Sequence, residues 1–356
     1  MQVPTLRYAL LPLLAALALA ACHSKDDASQ PGGSTPASAV QSSVELIKSG
    51  DFNDLWKHTL PPADYATLRA DWATQQKMQP PVTDQDRARF NDTMQQLTGP
   101  DAENKLYAEL QPKLAMMESK YKDQIPVLIS VGEAMMKNAV AQSKSVTAEQ
   151  KTQVNAALDV LGPWAQQAPW FDAAKAKQTV SIAVDTARKL DLKSADQLRA
   201  MDFDTTMTKY AIGYAGLKQL LSNYGLSVDD TLDSVKVTEL ENSNGHARVK
   251  IDYTLLGKPL SSESKLVQVD NRWYSEDMVN NVRQAHQRLT QPASAASAPA
   301  AAGTSATFGP AGSGSSAIVI RCCRGSASLT DWAAIIVMMT PSNATVRGCP
   351  VAMVSR

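Results

Sequence analysis

The residues with reactive potential are few and scattered. Ser262 and Lys265 have the SxxK spacing that lets a lysine activate a serine when both sit on one helical turn. They fall instead in a stretch that alternates like a strand, where residues three apart face opposite sides. The SDN and KTG companions of that chemistry are absent. Asp202 and Asp204 are close enough for paired-carboxylate acid–base work, but they precede a helical stretch, where capping is the expected role. Met94, Met116, Met117, Met135 and Met136 carry soft thioethers. With no His or Cys beside them, they read as filler of a helical core. The histidines, His23, His58, His246 and His286, form no HExxH pair, so no metal or other cofactor is expected. No dinucleotide, phosphate-loop, GxSxG or calcium-loop motif occurs, and the chain is expected not to be an enzyme.

Aromatic residues offer binding chemistry instead. Trp56, Trp72 and Trp273 read as core aromatics. Trp164 and Trp170 follow prolines in Gly162-Pro163-Trp164 and Ala168-Pro169-Trp170, which read as a loop between helices. A large apolar side chain in a loop has little structural reason to be there, so these two are the expected exposed binding aromatics.

Cysteine usage is more informative. The four cysteines are Cys22, Cys322, Cys323 and Cys349. Before Cys22 lie one basic residue, Arg7, and an apolar run from Tyr8 to Ala21 broken by Pro12. That run is too short to span a bilayer and suits an export signal. It ends in Leu19-Ala20-Ala21-Cys22, which resembles the lipobox of bacterial lipoproteins. The resemblance implies that residues 1–21 are cleaved and that Cys22 carries the lipid. A single acyl chain anchors a protein only marginally, while several hold it stably. His23, rather than Asp, follows the cysteine, which favours the outer membrane. The expected location is therefore the cell envelope, with the body facing the periplasm.

The 356 residues carry 35 basic and 35 acidic side chains. That neutrality argues against nucleic acid as a partner and against a polybasic membrane surface. No cysteine occurs from His23 to Arg321, so the body must rest on a hydrophobic core without disulfides.

The elements that would position these residues follow from pattern. Residues 22–38 read as a flexible tether rich in Ser, Asp, Gly and Pro. The folded body is expected over 39–290, helical over 39–225. Val40, Val44 and Ile47 mark a first helix that ends at Ser49-Gly50. Phe52, Leu55 and Trp56 follow on a second short one, then Tyr65, Leu68 and Trp72 on a third that opens at Pro61-Pro62. Thr147 with Gln150, and Ser194 with Gln197, look like capping boxes. Leu106, Leu110, Leu114, Met117 and Tyr121 form a stripe that Pro112 should kink or split.

Over 233–290 the period changes. Ala247, Val249, Ile251, Tyr253 and Leu255 alternate with polar residues, as in a half-buried strand. Turn residues place neighbouring strands near 235–240, 260–269 and 272–274. A last helix carries Met278, Val282, Ala285 and Leu289. The fold class expected is α+β: a mostly helical domain with a small antiparallel sheet of about four strands near its C-terminal end. Residues 291–316 are an Ala/Ser/Pro-rich linker. Residues 317–356 hold three cysteines and no lysine, and read as a disordered, out-of-frame extension.

The helix ending Ser49-Gly50-Asp51-Phe52 and the run Val267-Gln268-Val269-Asp270-Asn271-Arg272-Trp273-Tyr274 resemble small lipoproteins of the nuclear-transport-factor-two-like, cystatin-like fold. The resemblance spans Ala39 to Trp72 and Ser234 to Tyr274. It implies an N-terminal helix packed across a curved antiparallel sheet, and it does not imply one function, because that fold hosts enzymes, binders and inert modules. The function expected is a non-enzymatic binding or interaction module whose partner is an envelope protein. The alternatives are a carrier of a small apolar ligand between helix and sheet, and a hydrolase whose residues converge only in space.

Overall fold

The structure, a computed structural model, describes residues 30–143 and 147–291. The signal, Cys22, most of the linker and the C-terminal extension lie outside the described residues. The α+β class expected from the sequence is the one found. Helices α1 (Pro36–Ser49), α2 (Phe52–Thr59), α3 (Pro62–Met78), α4 (Asp84–Thr98) and α5 (Ala102–Tyr121) lead through a 3-10 turn to α6 (Ile125–Gln142). Then follow α7 (Ala148–Gln167), α8 (Ala173–Leu190), α9 (Ala195–Ala200), α10 (Phe203–Asn223) and α11 (Val228–Asp233). Strands β1 (Lys236–Ser243), β2 (His246–Leu255), β3 (Lys258–Val269) and β4 (Arg272–Ser275) form an antiparallel meander in sequence order, and α12 (Glu276–Thr290) closes the body.

The meander is tight because each connection has two residues with positive φ: Asn244-Gly245, Leu256-Gly257 and Asp270-Asn271. That geometry matches the right-handed twist of the strands. The second turn begins at Leu256, ahead of the strand expected from residue 260, and it holds Leu256 at φ 50°. Ala247, Val249 and Ile251 face inward and are buried as expected, while Tyr253 and Leu255 are half-buried toward the end of the strand.

Helix α1 lies against the sheet, with Ala39 packed in one cluster with Val249, Ile251, Leu266 and Trp273. A second cluster centres on Phe203, which meets Trp56, Tyr65 and Trp72 in T-shaped contacts at centroid distances of 6.5, 6.2 and 5.7 Å. Leu60, Tyr274, Val279 and Val282 join α12 to the sheet. Ala102, Val180 and Val184 join α5 to α8, with Leu106 and Leu110 against them.

Three local expectations are corrected. First, the segment before α1 is not a free tether to residue 38. Residues 30–33 are docked on β4, and α1 starts at Pro36 under a capping box of Thr35 and Ser38. Second, Pro112 does not split α5. It sits on the exposed side, where water can serve the carbonyl that loses its partner. Third, the Thr147–Gln150 box is complete, but at Ser194 only half forms: Ser194 accepts from the Gln197 amide, while the Gln197 side chain takes the Lys193 amide.

Candidate functional site

The expected chemical pairs do not assemble. Ser262 is buried and Lys265 exposed, on opposite faces of β3, as strand geometry requires. Asp202 caps α10 by accepting the Thr205 amide at 2.7 Å, and that bond holds its carboxyl below the usual range. Asp204 does not cap; it meets Arg69 of α3 through two bonds of 2.7 and 2.6 Å. Among the described residues no group of three or more His, Cys, Asp or Glu could hold a metal ion.

Trp164 and Trp170 are half-buried, which corrects the reading of both as exposed. Pro163 lies inside α7, so Trp164 belongs to that helix and not to a loop. The Trp164 indole donates to the Tyr224 carbonyl at 2.9 Å, and the Trp170 indole to that of Ala165 at 2.7 Å. Their rings meet edge to face at 5.6 Å, and Trp170 leans on Tyr224 at 4.9 Å. Asn223 donates to the Lys175 carbonyl in the same joint. The aromatic pair thus pins the end of α7 to the ends of α8 and α10, with each indole N–H satisfied.

That joint supports a helical arm, and the arm carries the feature sequence reasoning missed. Helix α6 packs along α7. Glu133 and Lys137 are the charges of α6, and both turn inward, where Lys137 bridges Glu133 and Asp159 at 2.5 Å each. The outer face therefore has no charge. Val127, Leu128, Val131, Met135 and Met136 are exposed there, Met135 to 68% and Val127 to 63%. Met116 and Met117 of α5 are exposed as well, so the core-filler reading fails for four of the five methionines. The physical reason is that, among the described residues, α6 packs along α7 on one side and no helix or strand covers these side chains on the other. Pro126, Val127, Ser130, Val131 and Ala134 line a shallow groove of about 360 Å³ on this face. The signal was present in the sequence: 18 residues whose two charges stand four apart, on one stripe.

A larger cleft of about 740 Å³ lies among α8, α10 and α11, lined by polar groups that include Lys175, Gln178, Lys218 and Asp229. Its lysines are engaged: Lys218 donates to the Lys48 carbonyl and to Asp229, and Lys175 to the Asn223 carbonyl. On another side, α12 meets α3 through two buried carboxylates. Arg283 grips Asp64 with two bonds of 2.8 Å, and His286 Nδ1 donates to both oxygens of Asp71 at 2.9 and 3.0 Å. The His286 ring is oriented as a general base would be, but it borders neither cleft.

Compared with known proteins, the chain matches no family model, no curated relative and no solved structure. Among the described residues, no helix is long and apolar enough to cross a membrane.

Proposed function

We propose that the chain is a lipid-anchored interaction module of the cell envelope, facing the periplasm, which engages an envelope protein through the outer face of α6. The single observation that carries the docking surface is the charge-free apolar face of that helix. A water-soluble body leaves such a face uncovered at a cost in solubility, and contiguous apolar patches of this kind mark interaction sites. Exposed methionines suit it, because an unbranched thioether adapts to the shape of a partner. The anchor reading rests on the lipobox at Cys22 and the outer-membrane preference on His23. The helix laid across the sheet is in keeping with the cystatin-like resemblance. The alternative of an apolar ligand held between helix and sheet draws less support, since neither cleft described is lined by a strand residue.

Two measurements in cells test this reading. Cys22→Ser should move the protein from the membrane fraction to the soluble one; retention in the membrane would overturn the anchor. A photo-cross-linking residue at Val131 should yield a discrete adduct that Met135→Glu abolishes. Absence of any adduct from intact cells would overturn the docking surface.

A further inference from the structure

The outer face of α6 has a shape as well as an absence of charge. Val127, Val131 and Met135 stand four residues apart, so they form one raised row along the helix, each more than half exposed. The neighbouring row, Pro126, Ser130 and Ala134, is made of compact side chains, and with Val127 and Val131 it lines the shallow groove of about 360 Å³. Ser130 is fixed from the α7 side, where the Gln166 amide group donates to its hydroxyl at 3.2 Å. A bulky row and a compact row of the same repeat therefore lie side by side on one helix.

That arrangement is complementary to itself. When two helices pack through their four-residue rows, the ridge of each enters the groove of the other, and the axes cross at about 50°. Two copies of α6 related by a two-fold axis meet this condition reciprocally: the Val127, Val131 and Met135 ridge of each seats over the Pro126, Ser130 and Ala134 row of its mate. Val131 is the middle of the ridge and also borders the groove, so the axis passes beside it. We propose that the partner of the α6 face is a second copy of this chain, joined through α6 in a two-fold dimer. The inference rests on the reading of that face as a docking surface, and it names the envelope protein engaged there as the chain itself.

Charge separates this partner from others. A two-fold axis sets each group near it against its own kind, so a charge there would repel its copy. The two charges of α6, Glu133 and Lys137, are drawn into the seam with Asp159, and none is left at the axis. A helix that lies on a lipid surface carries Lys or Arg along its polar flank. The one cation of α6 is instead tied to Glu133 and Asp159.

Area sets the strength. Burying a Val, Leu or Met side chain removes roughly 100 Å² of apolar surface. Val127, Leu128, Val131, Met135 and Met136 are each 52–68% exposed. Two copies therefore cover roughly 600 Å² of apolar side chain, which with a polar rim lies at the lower end of specific interfaces. The dimer is weak, with a dissociation constant on the order of 10–100 μM. Confinement of the copies to one membrane by lipid on Cys22 raises their effective concentration.

The test uses the chain from residue 23 to the C-terminus, in reductant so that Cys322, Cys323 and Cys349 stay unlinked. Sedimentation velocity from about 10 to about 500 μM should show one copy giving way to two across the range of the expected dissociation constant. Val131→Lys and Val131→Glu each set like charges together at the axis, and each alone should weaken association at least about tenfold while circular dichroism shows the helices intact. An equimolar mixture of the two variants should dimerise again, because opposite charges then face each other. A single copy throughout the range in the unmodified chain overturns the dimer, as does a mixture that stays monomeric. In cells, the photo-cross-link from Val131 should give an adduct of twice the mass of the chain. An adduct to a foreign protein or to lipid overturns the second copy; the foreign-protein adduct leaves the docking surface standing, whereas no adduct at all removes both.

Discussion

Gly162 of α7 and Glu133 of α6 approach so closely that a Cβ on the glycine would stand 2.2 Å from the Glu133 carboxylate. The bare backbone lets α6 lie flat on α7 and leaves Glu133 room to meet Lys137, which in turn reaches Asp159. The charges are drawn into the seam, and the opposite face of α6 is left apolar.

Gly162→Ala should push the Glu133 carboxylate off Lys137 and loosen the ion triad, a loss set against the gain of about 1 kcal/mol that alanine brings to a helix interior. Glu133→Ala in the same chain should recover most of that loss by emptying the space. A double-mutant cycle from urea melts measures the coupling; a coupling energy of zero would mean the two residues do not share the seam.

Val131→Glu and Met135→Glu should each change stability by less than about 0.5 kcal/mol, since both side chains already face water. Loss of several kcal/mol in a denaturant melt would show that the outer face of α6 is covered within the body.

Ile251→Asp should cost several kcal/mol, because it buries an unpaired charge in the cluster under α1. Lys250→Asp, one residue away on the exposed face beside Asp252, should cost far less. Equal shifts in melting temperature would contradict the assigned faces of β2.

Leu256 is a branched residue held at φ 50° in the β2–β3 turn. A non-glycine residue in that region costs about 1–2 kcal/mol, so Leu256→Gly should raise stability by roughly 1 kcal/mol despite the entropy glycine adds to the unfolded chain. A drop in the melting temperature would mean that packing by the leucine outweighs its backbone strain.

Tyr214 is buried, and its hydroxyl has no hydrogen-bond partner among the described residues. Burial, reinforced by the Asp229 charge, pushes its phenol up to about 12. The unfolded phenol ionises near its ordinary value of about 10. Above that pH the unfolded state loses a proton that the folded state keeps, so stability is full below about 10 and falls as pH rises toward 12. The loss over that window is on the order of 2 kcal/mol. Tyr214→Phe should flatten the alkaline limb and leave neutral stability little changed; an unaltered limb in pH-dependent melts would assign it to other groups.

Much of this architecture could be read from local pattern. The alternation from Ala247 to Ile251 and the Asn244-Gly245 and Asp270-Asn271 turns determine a meander, because the two-residue period and positive-φ turns act over a few residues. The cap at Thr147 and the helix end at Gly50 are legible for the same reason. What pattern left open depends on neighbours distant in the chain. Met135 and Leu46 are apolar residues on amphipathic helices alike; only the presence of a partner element makes one exposed and the other buried. Trp170 lies in a loop, as its prolines suggested, and only Tyr224, 54 positions later, supplies the ring that half-buries it. Residues 30–33 have the composition of a tether, and their order comes from the β4 edge and the His58 ring, which no local propensity encodes. Sequence determined which segments are helix and strand, because backbone conformation is set by near neighbours. Tertiary structure decided which surfaces remain bare and which polar groups meet, because burial is a property of the whole chain.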